Sequence, residues 1–197
     1  MAERSLRLVH SRPAPRRTEP VVPNGVFGMM LFVLTEIMLF LGMVSAQMVI
    51  RASSSVWPPP GQPRLPVEQT ALNTSFLLLS GVALVFALRR FKVDPSRARL
   101  PLLATTALGG LFVALQGAEW ARLIAQGLTF TSSTMGGFFY LIVGCHALHA
   151  VAAIIALIWS ARRLMAGSLT LAQLQATSVF WFFVVGVWPV LYWKVYL

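Results

Sequence analysis

Five apolar segments dominate this chain, and each is long enough to cross a membrane as a helix. About 20 helical residues, rising about 1.5 Å each, cross a hydrocarbon core of roughly 30 Å. The sequence is 57% hydrophobic and only 11% charged, whereas about a quarter of the residues in a soluble domain are charged. These features predict an all-α, polytopic membrane protein and exclude an ordinary water-soluble globule. The predicted spans are about 26–50, 70–88, 100–126, 135–161 and 176–193.

The connections between the spans are marked by helix-breaking residues. The charge-free stretch 123–161 is too long for one span, and Gly127 with the Thr/Ser cluster at 129–133 predicts a break within it. The first connection, 51–69, contains the run WPPPGQP, which predicts a stiff, extended lid on the outer face or a simple spacer. Residues 1–24 carry five arginines and four prolines and predict an exposed basic tail that precedes a membrane domain over 25–197.

The distribution of Lys and Arg predicts the orientation of the bundle. Twelve of the 16 basic residues lie in the amino-terminal tail and in the second and fourth connections, and four lie on the opposite side. Cytoplasmic connections carry the excess of Lys and Arg, so the amino terminus is expected inside and the carboxyl terminus outside. The formal net charge of +10 is therefore interpreted as a topology signal, and no nucleic-acid partner is expected.

Glu36 is a carboxyl group deep within the first predicted span. At about ten residues into the span it lies about 15 Å deep, where an isolated carboxylate costs several kcal/mol. We expect it to be largely protonated or paired, either as a proton relay or reagent-reactive carboxyl, or as a buried group that fixes helix packing. A partner is available on the fourth span, where His146 and His149 share one helical face.

A hydrogen bond from Glu36 to His146 is the leading expectation, because the two groups share a depth and would otherwise lack partners. His149 is expected closer to the inner face. Metal or haem ligation by the two histidines is the weaker alternative, since no third ligand lies at a compatible depth. No metal site, catalytic residue, phosphate loop or nucleophile motif is predicted in this chain, and its single cysteine excludes a cysteine-based metal centre.

Two further sets of polar residues lie near the membrane surfaces. Glu119 and Arg122 are expected to form an outer interface pair beside Trp120, as a surface ion pair or as a contact to a lipid headgroup or subunit. Asn73 is interpreted as a capping residue near the start of the second helix. Basic residues of the inner connections are candidate contacts to anionic lipid headgroups, although most are expected only to set topology. They are Arg89, Arg90, Arg97, Arg99, Arg162 and Arg163.

Several short motifs follow one another in a fixed order from about residue 26 to 197. They read TEIMLF at 35–40, WPP at 57–59, LNTS at 72–75, SG at 80–81, LQGAEW at 115–120 and GCHALH at 144–149. Together they resemble subunit III of the haem-copper terminal oxidases, the cytochrome c and quinol oxidase family, in the form with five spans rather than seven. The resemblance implies that Glu36 matches the carbodiimide-reactive carboxyl of that family. Many members read WHFVD in the last span where this chain reads WFFVV at 181–185, so roles attributed to that His and Asp are not carried over.

The resemblance implies a non-catalytic core subunit of an oxygen-reducing, proton-pumping oxidase. Such a subunit binds no haem or copper, which belong to partner subunits, and it packs against catalytic subunit I in a complex that also contains subunit II. It holds phospholipid and supports proton uptake. Extra helices of subunit I are expected to take the place of the two missing spans.

Two alternative functions remain at this stage. One is a homologous accessory subunit of a nitric oxide reductase, and the other is a free-standing small transporter, although transporters usually show internal repeats and none is visible here. The expected location is the bacterial cytoplasmic membrane. A mitochondrial inner membrane is less expected, because the prolines and two glutamates of the tail are atypical of a transit peptide.

Overall fold

Five long helices build the protein in the computed structural model, which describes residues 22–196. The predicted basic tail lies outside the described residues except for its last positions. Each helix is long and apolar enough to cross a membrane, so the predicted all-α fold of five spans is confirmed. The helices are α1 (Asn24–Ser53), α2 (Val67–Val93), α3 (Arg99–Ala125), α4 (Thr134–Met165) and α5 (Leu171–Leu191), with a short 3₁₀ turn at Pro95–Ala98 and a π turn at Tyr192–Tyr196.

Most of the helices extend beyond the apolar segments that predicted them. Helix α2 continues through Arg89, Arg90 and Lys92, and α4 continues to Met165. The spans predicted from the sequence include only residues suited to the hydrocarbon core. Helical backbone hydrogen bonds are equally favourable in the polar interface beyond it, so charged residues extend the helices there.

Glycine-terminated ends close two of the five helices. At the end of α3, the Leu128 N–H donates to the Leu123 carbonyl and the Gly127 N–H to the Ile124 carbonyl, both at 3.0 Å. Gly127 has a φ of 90° and Gly167, at the end of α4, has a φ of 68°, which glycine adopts without steric cost. This double hydrogen bond is the Schellman arrangement. It turns the chain sharply, so α3, α4 and α5 pack as antiparallel neighbours.

Side-chain caps start the helices that follow these turns. Ser133 accepts a hydrogen bond from the Gly136 N–H at 3.0 Å at the start of α4. Thr170 and Gln173 form a reciprocal capping box at the start of α5. These contacts satisfy amide groups that have no partner within the helix.

Helix α5 is the centre of the bundle and contacts α1, α2 and α4. Its Trp181 and Trp188 are fully buried, and each indole N–H donates to a hydroxyl on α2. Trp181 reaches Ser80 at 3.1 Å and Trp188 reaches Thr74 at 2.8 Å. These bonds fix the rotation of α5 against α2, because a buried indole N–H needs a partner.

Helix α1 lies at the edge of the bundle. Only 11% of the residues in its most apolar 18-residue stretch are buried within the bundle, whereas 50% are buried in the corresponding stretch of Leu171–Tyr196. It packs mainly on α5 and to a smaller extent on α4. Its remaining surface is apolar, with exposed side chains such as Phe27, Leu34 and Met38. This surface faces lipid or other helices when the bundle lies in a membrane.

The first connection folds over one end of the bundle. Gln62 in this connection contacts Ser132 before α4, with 3.3 Å between Oε1 and Oγ. Tyr192, after α5, donates its hydroxyl to the Val67 carbonyl at 3.0 Å. The proline-rich run covers a cavity of about 350 Å³ whose floor includes Met135 and Val195. The first and third connections and the end of α5 therefore meet at one end of the molecule.

Candidate functional site

Glu36 on α1 is bonded to His149 on α4. Glu36 Oε2 lies 3.0 Å from His149 Nε2, and the two side chains are 17% and 11% exposed. The expected bond between Glu36 and His146 is therefore not the one that forms. Helix α4 extends to Met165 and α1 begins at Asn24, so Glu36 lies about 18 Å from the start of α1 and His149 about 24 Å from the end of α4. His146 lies one further turn away.

The second ring nitrogen of His149 determines how many protons the pair shares. His149 Nδ1 lies 2.8 Å from the backbone carbonyl of Cys145, and a carbonyl oxygen can only accept. Nδ1 therefore carries a hydrogen, and a hydrogen bond across the 3.0 Å between Nε2 and Glu36 Oε2 requires one proton shared by the two groups. Whether that proton is on oxygen or on nitrogen, the pair has no net charge. This neutrality explains how a carboxyl group is tolerated at this depth.

Aromatic rings enclose the pair. The ring centroid of His149 lies 5.6 Å from that of Phe40 and 5.7 Å from that of Phe183, and Phe32 and Phe180 complete the enclosure. Phe40 is 3% exposed and Phe183 is 6% exposed. These rings exclude water from one side of the bond, which strengthens its electrostatic component.

His146 is buried without a hydrogen-bond partner among residues 22–196. It is 1% exposed, and neither of its ring nitrogens is bonded there. Its ring packs against Trp188 with 4.9 Å between centroids and against Phe40 at 6.2 Å. It also lines a small cavity of about 100 Å³ between α3, α4 and α5. Although its depth is close to that of His149, His146 faces the aromatic core rather than Glu36.

A second polar cluster joins α2, α3 and the end of the chain. Glu119 Oε2 accepts from the Thr70 hydroxyl at 3.1 Å and from Gln116 Nε2 at 2.9 Å. The same Gln116 nitrogen donates to the Tyr196 hydroxyl at 3.1 Å, and Asn73 Nδ2 donates to Gln116 Oε1 at 3.1 Å. Glu119 is only 6% exposed. We call this set the α2–α3 polar cluster.

The α2–α3 polar cluster replaces two sequence-based expectations. Glu119 bonds to Thr70 and Gln116 rather than pairing with Arg122, whose Nη1 donates to Gln69 Oε1 at 3.3 Å. An i,i+3 spacing brings two side chains onto one helical face. Here the Glu119 carboxyl group is buried against α2, whereas Arg122 remains exposed. Asn73 is not a cap, since α2 begins at Val67.

Thr70, Asn73, Gln116 and Tyr196 were not singled out as site residues in the sequence. A signal was present, because Thr70 and Asn73 on one span and Gln116 and Glu119 on the next share the same i,i+3 spacing. Two such polar pairs at matching depths on neighbouring antiparallel helices predict one shared hydrogen-bonded seam. The role of Tyr196 depends on the turn after α5 and could not be found in this way.

The basic residues of the second and fourth connections lie at the end of the bundle opposite the first connection. Some of them have bonded partners and others do not. Arg97 lies 3.5 Å from Asp94, whose side chain also accepts from the Ser96 N–H at 2.9 Å. Hydrogen bonds from the Ser96 hydroxyl and N–H, with smaller contributions from Arg97 and Arg99, lower the pKa of Asp94. Arg163 donates to the Ser168 carbonyl at 3.0 Å and lies over the Trp159 ring. The exposed candidate headgroup contacts that make no hydrogen bond or ion pair within residues 22–196 are Arg89, Arg90, Arg99 and Arg162.

Within residues 22–196, no group of three or more His, Cys, Asp and Glu side chains is arranged to hold a metal ion. Glu36 and His149 are joined to each other, and the nearest further titratable groups are Cys145 and His146 on the same helix. Cys145 Sγ lies 3.9 Å from His149 Nδ1. What this site offers chemically is one proton shared between oxygen and nitrogen in an aromatic enclosure.

Comparison with known proteins agrees with the motifs. The family model for cytochrome c oxidase subunit III matches residues 14–197. A probable cytochrome c oxidase subunit 3 of Mycobacterium leprae (strain TN) is 34% identical over 188 residues, which is 88% of each chain. The corresponding protein of Nocardia farcinica (strain IFM 10152) is 32% identical over 189 residues, again 88% of each chain.

A relative from an animal aligns over a similar part of this chain. Cytochrome c oxidase subunit 3 of Tachyglossus aculeatus aculeatus is 31% identical over 188 residues, which is 89% of this chain and 70% of the relative. The family match covers almost the whole sequence, including Glu36, both intramembrane histidines and the α2–α3 polar cluster. The chain therefore belongs to the cytochrome c oxidase subunit III family, whose members are multi-pass membrane subunits of an oxidoreductase complex.

Proposed function

We propose that this chain is a non-catalytic core subunit of a haem-copper terminal oxidase that reduces oxygen and pumps protons. Membership of the family carries the proposal. The chemistry of the bundle supports it, because the Glu36 and His149 side chains are bonded to each other and enclosed by rings. Such a pair is suited to holding α1 against α4 and to exchanging a proton. Haem and copper are held by partner subunits.

The proposed placement is the cytoplasmic membrane of a bacterium, with the amino terminus inside. The twelve-to-four distribution of basic residues supports this orientation. The first connection and its proline-rich lid then lie on the outer face. Exposed arginines of the second and fourth connections, such as Arg90 and Arg162, lie at the inner surface and attract anionic lipid headgroups there.

The proposed main partner is catalytic subunit I, with subunit II in the same complex. Helix α1 supports this assignment, because most of its apolar surface is uncovered by the rest of the chain. Between α1 and α5 lies a cavity of about 340 Å³ lined by apolar side chains that include Ile37, Leu41, Val187 and Val190. Helices of subunit I with ordered phospholipid fill this surface in place of the two spans that the seven-span form has.

Purification of the tagged chain from its own membranes in mild detergent tests the proposal. The accompanying complex should show haem spectra and consume oxygen in the presence of an electron donor. A complex that reduces nitric oxide but not oxygen would identify the chain as an accessory subunit of a nitric oxide reductase. A chain that purifies alone and transports a solute in liposomes would contradict the proposal.

A further inference from the structure

A polar cavity of about 280 Å³ lies between the first connection, the start of α2 and the end of α3. It is at the end of the bundle opposite the basic connections, where an interfacial headgroup layer surrounds the protein. Its polar lining consists of two arginines, two glutamines and one carboxyl group: Arg64, Arg122, Gln69, Gln126 and Glu119. The cavity is distinct from the Glu36–His149 pair and from the apolar surface of α1.

Glu119 brings a buried carboxyl oxygen to the floor of this cavity. Its Oε2 is held by Thr70 and Gln116, whereas Oε1 accepts no hydrogen bond within residues 22–196 and is not among the fully enclosed atoms. The residue as a whole is 6% exposed. The two bonds to Oε2 therefore fix the carboxyl group with its other oxygen toward the cavity, ready to accept from a donor.

The two arginines stand at the mouth of the cavity. Arg122 is exposed and is oriented by its bond to Gln69 at 3.3 Å. Arg64 is exposed in the first connection and makes no hydrogen bond or ion pair in the described part of the chain. A guanidinium group is suited to phosphate, because its N–H groups form a planar fork. The cavity thus combines two guanidinium groups, which can donate hydrogen bonds to a phosphate, with one carboxyl oxygen, which can accept a hydrogen bond from a cation.

We propose that this cavity binds the zwitterionic headgroup of a phosphatidylethanolamine, with its phosphate on Arg64 and Arg122 and its ammonium group on Glu119. An ammonium group has three N–H donors for a carboxylate. The quaternary ammonium of phosphatidylcholine has none and is usually recognised by aromatic rings, and no aromatic side chain lines this cavity. A simple anion would satisfy the arginines but would leave Oε1 of Glu119 without a donor. This inference depends on membrane insertion but not on the proposed oxidase role.

Native mass spectrometry of the full-length chain with its accompanying subunits tests the proposal. The sample is stripped of lipid in a neutral detergent, and phosphatidylethanolamine or phosphatidylcholine with identical acyl chains is added stepwise. We expect one site that prefers phosphatidylethanolamine about tenfold or more, because a hydrogen bond to a charged group is at stake. Equal affinity for the two lipids would overturn the proposal.

Three variants separate the contributions. Glu119→Gln should abolish the preference while leaving phosphatidylcholine binding unchanged, because the amide oxygen can still accept from Thr70 but carries no charge. Arg64→Gln and Arg122→Gln should weaken both lipids. Lys92→Gln, an exposed basic residue at the opposite end that is not among the candidate headgroup contacts, is the control that should alter neither. A preference that survives Glu119→Gln would overturn the assignment of the ammonium group.

Two further measurements keep the test decisive. If Glu119→Gln does not fold, the exposed Arg122→Gln variant carries the test, and unchanged binding of both lipids by that variant would refute the site. Inorganic phosphate and soluble phosphoethanolamine are added as competitors to distinguish a lipid from a free phosphate compound. We expect neither to displace the lipid at equal concentration, and displacement would show that the site serves a soluble ligand.

Discussion

Replacing Gly109 by alanine should destabilise the bundle, and the same change at the neighbouring Gly110 should not. A Cβ atom on Gly109 would lie 2.5 Å from Trp181 Cη2 and 2.8 Å from Ile154 Cδ1, whereas a Cβ atom on Gly110 has nothing within 4 Å. Trp181 cannot turn aside easily, because it is fully buried and its indole N–H is bonded to Ser80. The added methyl group must therefore push α3 away from α5 or break that bond.

The magnitude follows from two opposing effects. Overfilling a tightly packed site costs about 1–3 kcal/mol, and the rigid indole ring places Gly109→Ala near the upper end. Alanine also favours a helix over glycine by about 1 kcal/mol, but both variants share this gain. The difference between Gly109→Ala and Gly110→Ala therefore isolates the steric cost at about 3 kcal/mol. For a chain of this length that corresponds to roughly 6–12 °C in Tm.

Thermal unfolding can be followed through Cys145, the single cysteine of the chain, which is only partly exposed within α4. Labelling by a thiol reagent during a temperature ramp, quantified at Cys145 by mass spectrometry, gives the Tm of each variant in detergent. In a Trp181→Phe background the effect of Gly109→Ala should shrink, because the contacting ring atoms are removed. Equal Tm values for the two alanine variants, or an unchanged effect in that background, would refute the steric argument.

Four other outcomes are expected, three from the structure and one from the distribution of basic residues. Glu36→Gln should leave oxygen reduction by the complex largely intact and change stability by less than about 1 kcal/mol, because the amide can still donate to His149. His149→Leu should destabilise the chain by about 1–3 kcal/mol in the same thermal assay, since it strands the carboxyl group, and equal Tm values for these two variants would contradict this. Thr170→Ala should cost about 1 kcal/mol through loss of the capping box at α5, and an unaltered Tm would show that the cap is dispensable. A membrane-impermeant thiol reagent should label Arg64→Cys in intact cells and Arg90→Cys only after permeabilisation, with the unsubstituted chain as control, and the reverse pattern would overturn the orientation.

The number and order of the helices could be predicted from the sequence because each depends on local properties. The apolar length of a segment decides whether it can cross a membrane. Gly127 lies where the uncharged stretch had to break, and it adopts the positive φ that ends α3. The helix ends were less well predicted, since the charged end of α2 remains helical beyond the apolar segment.

The partners of the buried polar groups were decided only by tertiary structure. Depth along a helix can be counted from a sequence, but an error of one turn in a helix end exchanges His146 for His149 as the partner of Glu36. The rotation of α4 about its axis also cannot be predicted from the local sequence. In the folded bundle this rotation places the His146 ring against Trp188. The partner of Glu119 could not be predicted for the same reason, because its hydrogen bond with Thr70 depends on how α2 packs against α3. Sequence thus determined which polar groups must find partners within the membrane, because unpaired groups there are costly, whereas helix packing determined which partners they found.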